Sequence, residues 1–377
     1  MLKYLAVVAA GALALAPATA LAAAAWEPWV SVPGVFDLGT RSDGSILVAG
    51  NAMLYLLTPG GNLTAFASGY HDDPGAEAYI AVSSGQDVSN AGCFFPISDA
   101  FILRLHAPTG VTRVSRNGDE TVSFANVAIP GLNGIAFDTV GAFDHRLLMS
   151  GSAGGKSQVV AIDCAGKVQM ITTSAPAFEG GLDVAPMTFG SFGGWLVAPD
   201  ELSGVIWAIA PDGSVKKLVD SGLPKGGDIG VESLAFVPPG FTARGGYVYY
   251  SDRATPNNPH PGTDHLLRLS SNDLWVAGVQ DGDLLGATEG GASMVDVRCE
   301  VTCTVFTVVP TPTTAHGEGH LVFTLNQLPS PSPKPSAAPA PKPTSSTRTG
   351  PSPATVLVAG IIAAVLVAVV VASRRRR

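Results

Sequence analysis

Three signatures of common enzyme chemistry are missing from this 377-residue chain. It has no Gly-x-Ser-x-Gly nucleophile elbow, no phosphate-binding loop and no dinucleotide fingerprint, so the enzyme classes that depend on them lack support. Gly151-Ser152-Ala153-Gly154-Gly155 is glycine-rich, but it joins two strand-like stretches without opening a helix and reads as a loop. No helix of normal length is expected between residues 26 and 328, which points to an all-β domain. Cations are scarce there. All 30 Asp and Glu fall in that stretch against 14 of the 22 Lys and Arg, a formal charge of −16 compared with −8 for the whole chain. Such a surface argues against nucleic acid and against direct adsorption to anionic lipid. Cysteines number only four, too few for a disulfide-built scaffold but an even count that favours pairing in an exported domain.

Long apolar runs occur only at the two ends. Residues 1–22 carry one early cation, Lys3, then Leu5–Leu15, Pro17 and the small-residue site Ala20-Leu21-Ala22, the pattern of a cleaved signal peptide. Residues 355–373 hold an unbroken Val, Ile, Leu, Ala and Gly stretch followed by Arg374–Arg377, which predicts one transmembrane helix with a cytoplasmic arginine tail. Residues 329–353 are rich in Pro, Ser and Ala and read as a semi-rigid stalk. The chain is therefore expected at the cell membrane, single-pass, with residues 26–328 outside. The tail also resembles a cell-wall sorting signal, of which Thr349-Gly350 is the matching part. Sortase attachment and a retained anchor both stay open.

Within residues 26–328 a short motif recurs: a glycine, one or two residues, a carboxylate or amide, then alternating apolar residues. Its polar members are Asp37, Glu77, Asn133, Asp183 and Glu232, at steps of 40, 56, 50 and 49 residues. Short strands at this period predict a β-propeller with one four-stranded sheet per repeat. Turns such as Thr58-Pro59-Gly60-Gly61 and Ala210-Pro211-Asp212-Gly213 separate alternating runs and support that division. Six blades are expected. Blade five is read as 234–237, 247–250, 266–269 and 274–279, and blade six as 294–298, 304–309 and 321–325. The strand that blade six lacks would come from 29–32, closing the ring.

If every polar member opens an inner strand, all five meet at one channel mouth. Carboxylates so placed raise one another's pKa unless a cation neutralises them, and Ca²⁺ is the cation that suits carboxylates and an amide. The sixth blade offers Glu289 by spacing or Ser293 by alternation. Long loops on the same face would add Asn51, Ser150, Asp200, Glu201, Asp252, Arg253, His260, His265, His316, Glu318 and His320, and loops concentrated on one face commonly carry binding. The His316–His320 segment looks like a zinc motif only superficially, since its glycines do not favour a helix. Cys299 and Cys303 flank a three-residue turn and are expected to pair, as are Cys93 and Cys164 from adjacent blades.

Leu132-Asn133-Gly134-Ile135-Ala136-Phe137 resembles the Asn-Gly-Leu/Ile-Ala-Phe motif of the SMP-30/gluconolactonase-like six-bladed propellers. That resemblance implies a divalent metal at the channel mouth, with Glu77, Asn133 and Asp183 matching ligand positions, and lactonase or esterase chemistry. Asp200 and Asp252 compete for one further ligand position of that family. Three functions follow: a membrane-anchored propeller displaying a ligand- or metal-binding face to a small molecule or envelope protein, a metal-dependent lactonase or esterase, and a structural envelope component.

Overall fold

The structure, a computed structural model, describes residues 23–73 and 75–326. The expected signal peptide, stalk, transmembrane helix and arginine tail lie outside them, and no helix among the described residues is long and apolar enough to cross a membrane.

Six four-stranded antiparallel sheets form the expected propeller. Blade one runs outward from Val35–Thr40 through Ile46–Gly50 and Met53–Leu57 to Leu63–Phe66. Blades two, three and four start from inner strands Ile80–Val82, Gly131–Phe137 and Asp183–Val184 and follow the same order. Each inner strand packs its two faces against neighbouring blades. Ile80 joins the apolar cluster of blades one and two, and Ala81, one residue on, joins that of blades two and three. This is the period-two alternation of a strand used on both sides. The apolar runs found in the sequence are the blade-to-blade core.

The last two blades interlock, which corrects the expected strand order. Inner strand Val231–Phe236 pairs with Leu284–Thr288, then Met294–Cys299 and Cys303–Val309, to make blade five. Between its first two strands the chain crosses to blade six and lays down Gly246–Asp252 and His265–Ser270. Inner strand Gly317–Leu325 then completes blade six from the other end of the domain. Alternation identifies a strand but not its sheet, so consecutive strands read as one blade. The stretch at 274–279, expected as a strand, instead contains part of the helix Ser271–Val276. Ser270 caps it, with Asp273 completing a reciprocal capping box, a local signal that outweighs apolar alternation.

Ring closure by the N-terminal strand is present. Glu27–Ser31 pairs antiparallel with His265–Ser270 as the outer strand of blade six. Trp29 packs on Tyr249 with ring centroids 5.2 Å apart, and Arg268 lies over Trp29 while bonding Glu27. Both expected disulfides are formed. Cys93–Cys164 ties an inserted hairpin of blade two to a turn of blade three across 71 residues. Cys299–Cys303 closes the turn between the two outer strands of blade five, with Cα atoms 4.0 Å apart.

The closing strand should matter through its tryptophan rather than its ion pair. Trp29→Ala is expected to lower unfolding free energy by about 1–3 kcal/mol, and Glu27→Gln by clearly less because that pair is exposed to solvent. Urea denaturation of residues 23–326 measures both, and equal losses would contradict the assignment.

Candidate functional site

The inner strands start at one channel mouth with a fault in their ladders. Register slips between Val35 and Asp37, between Leu132 and Gly134, and between Val231 and Ser233. The residues skipped, Phe36, Asn133 and Glu232, are β-bulges, which re-aim side chains at strand ends. In blade four the equivalent level falls at Gly180 and Gly181, whose amides donate to the Asn133 and Glu232 carbonyls. A Cβ on Gly180 would stand 2.0 Å from the Glu232 carbonyl oxygen, so only glycine fits, and Glu179 reaches the mouth instead.

The result is a cavity of about 570 Å³ lined by seven carboxylates, Glu77, Glu179, Glu201, Asp228, Glu232, Glu289 and Glu318, together with Asn133 and Tyr79. Two cationic side chains stand beside them. The Arg253 guanidinium bonds Glu77 at 2.8 Å and Glu318 at 3.1 Å and covers the Phe36 ring. His316 Nε2 lies 3.0 Å from Glu289 and 3.3 Å from Glu318, while its buried Nδ1 has no partner among the described residues. Tyr79 donates a short hydrogen bond to Glu232. Asn133 donates to the Phe178 carbonyl and accepts from Ser150.

Three of the five expected ring residues, Glu77, Asn133 and Glu232, meet at this mouth, and Glu289 rather than Ser293 joins them. Asp37 and Asp183 do not. Asp37 is fully buried and bonded to His320 in the channel interior. Asp183 lies beyond Gly181 along the strand and lines the cavity entered from the opposite face. The glycine that precedes it sits at the bulge level, so the motif match places the carboxylate too deep. Among the loop residues, Asp200 bonds Ser203 and Trp207, and Asp252 accepts from Thr263 and the His316 amide. The Nδ1 atoms of His260 and His265 pair with the Thr313 and Thr263 carbonyls. These four side chains brace loops and do not line the acidic cavity. Glu179, Asp228 and Tyr79 were not read as site residues. Tyr79 stands two residues after Glu77, and Glu179 directly precedes the paired glycines.

The channel does not run clear. The Tyr79 and His320 rings meet edge to face, 5.7 Å between centroids, below the acidic mouth. Above them the carboxylates are held abnormally basic. Burial, then the neighbouring Glu318 charge, pushes Glu232 well above the carboxylate range. Burial and Glu289 push Glu201 up to about 8. Burial likewise raises Glu179, Glu289 and Glu318. For His316, burial acts downward but the bonds to Glu289 and Glu318 prevail, taking it up to about 9.

This donor set fits a cation. Oxygen donors predominate, the cavity has fewer positive than negative groups, and Glu289, Glu318 and, once it has lost its proton, His316 each bring a ligand atom to within 4.8 Å of the others. Carboxylates and an amide suit a hard ion such as Ca²⁺.

In fold the chain is similar to virginiamycin B lyase from Staphylococcus aureus, with 12% identity, 80% of this chain and 96% of that one covered, and a TM-score of 0.44. A streptogramin B lyase matches at 14% identity, over 80% and 94% of the two chains, with a TM-score of 0.43. A protein named as a candidate gluconolactonase matches at 15%, over 62% and 72%, with a TM-score of 0.37. These likenesses are shallow and concern the fold alone. No protein-family model matches the sequence, and no curated protein does.

The raised pKa values set a sign for pH dependence. Each group binds its proton more tightly folded than unfolded, so its contribution is complete below the unfolded value and is lost as pH rises through the folded one. Glu201 loses its contribution between the ordinary carboxylate range and about 8, and His316 between the ordinary histidine range and about 9. In EDTA, the melting temperature of residues 23–326 should fall steadily from about pH 5 to about pH 9. Calorimetry showing a rise over that window would contradict the arrangement.

Proposed function

We propose that this chain is an exported, membrane-anchored propeller that displays a cation-dependent ligand-binding face at the cell surface. The observation carrying this reading is the seven-carboxylate cavity with Arg253 and His316 as its adjoining countercharges. Glu77, Asn133, Glu179 and Glu232 come from the inner ends of four successive blades and would hold the ion, Ca²⁺ above all, with Glu318 and Glu289 completing the pocket. A bound divalent ion relieves their mutual repulsion and leaves a positive centre for anionic or carbonyl oxygens of a ligand. Export and anchoring rest on the terminal segments of the sequence.

A hydrolytic role for the same face, toward lactones or esters, has one observation in its favour. Glu201, pushed up to about 8 beside Glu289, loses its proton just above neutral pH, and in that ionised form it can accept one from water, as a general base must. A bound metal would supply carbonyl polarisation, and Tyr79 would hold Glu232 in place by its hydrogen bond. Hydrolysis of simple lactones that disappears in Glu201→Gln would favour this reading over plain binding.

Calcium should raise the melting temperature, since a ligand held only by the folded state stabilises by about 2.7 kcal/mol at a hundredfold excess over Kd. Glu232→Gln and Glu179→Gln should abolish that shift. Without metal the same changes should be neutral or stabilising, because they remove like-charge repulsion. Melting curves unmoved by Ca²⁺, Mg²⁺ and Mn²⁺ in turn would rule the cation out. In cells, protease cutting within residues 329–353 should free the ectodomain from the membrane fraction, and a C-terminal tag labelled from outside would overturn the orientation.

A further inference from the structure

The opposite end of the channel opens into a second cavity of about 740 Å³ with different chemistry. The lower halves of the inner strands wall it, and Val82, Phe236, Val322, Phe323 and Leu325 stay half-buried there rather than fully packed. Cavities of this size and character, with few polar groups in fixed places, are the usual form of small-molecule sites.

The charged groups of the lining are unequal in number and in place. Arg41, Arg244 and His320 stand against one carboxylate, Asp183. His320 is matched from behind by the buried Asp37, which leaves two guanidinium groups against Asp183. Arg41 follows strand Val35–Thr40 of blade one, and Arg244 lies just before the blade-six strand Gly246–Asp252. Those blades are neighbours, joined here by the Thr40 hydroxyl, which donates to the Phe323 carbonyl at 2.9 Å. The two arginines therefore share one side of the rim. Asp183 belongs to blade four, across the ring and farther up the channel, where its oxygens accept from the Val184 and Phe236 amides at 2.7 and 2.8 Å.

The fold leaves both arginines with donors to spare. Arg41 is 9% exposed, its guanidinium donates to the Arg116 carbonyl at 3.0 Å and lies over the Phe66 ring, and its buried Nε–H has no partner among the described residues. Asp43 adds a negative charge beside it but turns Oδ1 to Ser45 and stands outside the lining. Arg244 is exposed, and among the described residues its guanidinium bonds only the Asn326 carbonyl. A buried donor left without an acceptor is costly, and a carboxylate is the acceptor that matches the planar fork of a guanidinium.

We propose that this funnel binds a small amphipathic carboxylate of the medium-chain alkyl class, its head toward Arg41 and Arg244 and its chain along Val82, Phe236 and Val322. Asp183 on the far wall fixes the orientation, because its charge repels the head from the deeper position. The site is separated from the acidic mouth by the Tyr79–His320 contact and needs no cation there.

Isothermal titration of residues 23–326, which hold the whole closed ring, with octanoate, butanoate, 1-octanol and octylamine in EDTA tests this. Octanoate should bind at least about tenfold more tightly than octanol, the value of one charge-assisted hydrogen bond. It should also exceed butanoate by at least about tenfold, because buried methylenes drive the chain into the funnel. Octylamine should be the weakest of the octyl ligands. Octanol or octylamine binding as tightly as octanoate, or no saturable binding of octanoate, overturns the proposal. Arg41→Gln and Arg244→Gln should each cut the preference for octanoate over octanol by about threefold or more, with octanol itself unchanged. If the buried Arg41 variant does not fold, the exposed Arg244 carries the test, and an undiminished preference in Arg244→Gln overturns the head site. Amide chemical-shift changes in the wild-type protein locate the ligand. Shifts at Val82, Ala235 and Val322 support the funnel, and shifts confined to Glu77 and Asn133 overturn it.

Discussion

Near the centre of the propeller the Asp37 carboxylate, with no exposed surface, accepts hydrogen bonds from the amides of Leu38, Ile80 and His320 and from the His320 ring. The other ring nitrogen of His320 faces the Ile135 carbonyl at 2.9 Å. Both imidazole nitrogens therefore meet acceptors, which requires two donors and so an imidazolium. Burial works to deprotonate His320, but the Asp37 charge and these bonds hold its pKa above the ordinary value. Residues 37 and 320 sit on the first and last inner strands of the ring, and their pair also touches blades two and three. Breaking one partner of such a buried pair costs roughly 3–5 kcal/mol. Gly319, at positive φ, belongs to the same constraint, because a Cβ there would lie 2.4 Å from Asp37 Oδ1.

That ion pair also divides the channel into two mouths. With Tyr79 it fills the channel, so the two mouths develop independently. The upper mouth is polar because bulged residues and loop ends, not regular strand positions, supply its lining. The lower one is apolar because it exposes the edges of the blade-to-blade core. In the upper mouth, protons, a metal or a cationic ligand must offset the crowded carboxylates, and proton uptake is what the raised values of Glu201 and Glu232 express.

The sequence reading reached the six-bladed ring, its N-terminal closure and both disulfides because those depend on period and on cysteine placement in turns. It did not reach the exchange of strands between blades five and six. His265–Ser270 has the same alternation in either sheet, and the distinction lies in long-range pairing with Glu27–Ser31. Within the site, Glu77, Asn133 and Glu232 were legible from the motif. Asp183 was misplaced because Gly180-Gly181 let the blade-four backbone press against blade five, shifting the carboxylate down the strand. Glu179 stands outside the motif, so no spacing rule finds it.

The long loops supply the mouth's positive charges, although most of the polar residues read from them turn out to be braces. Asp252 binds Thr263 and the His316 amide, and the Arg253 amide donates to the His316 carbonyl. Two separate insertions, one between the middle strands of blade six and one leading into its inner strand, are thus fastened at their bases. Those bases carry Arg253 and His316, whose side chains meet on Glu318. Position, rather than charge count alone, then sets where the mouth is negative. The two cations are fixed at the blade-six side, leaving Glu179, Glu201 and Asp228 toward blade four without an ion-pair partner among the described residues. The carboxylates without a countercharge among the described residues therefore lie off the propeller axis, on the blade-four side.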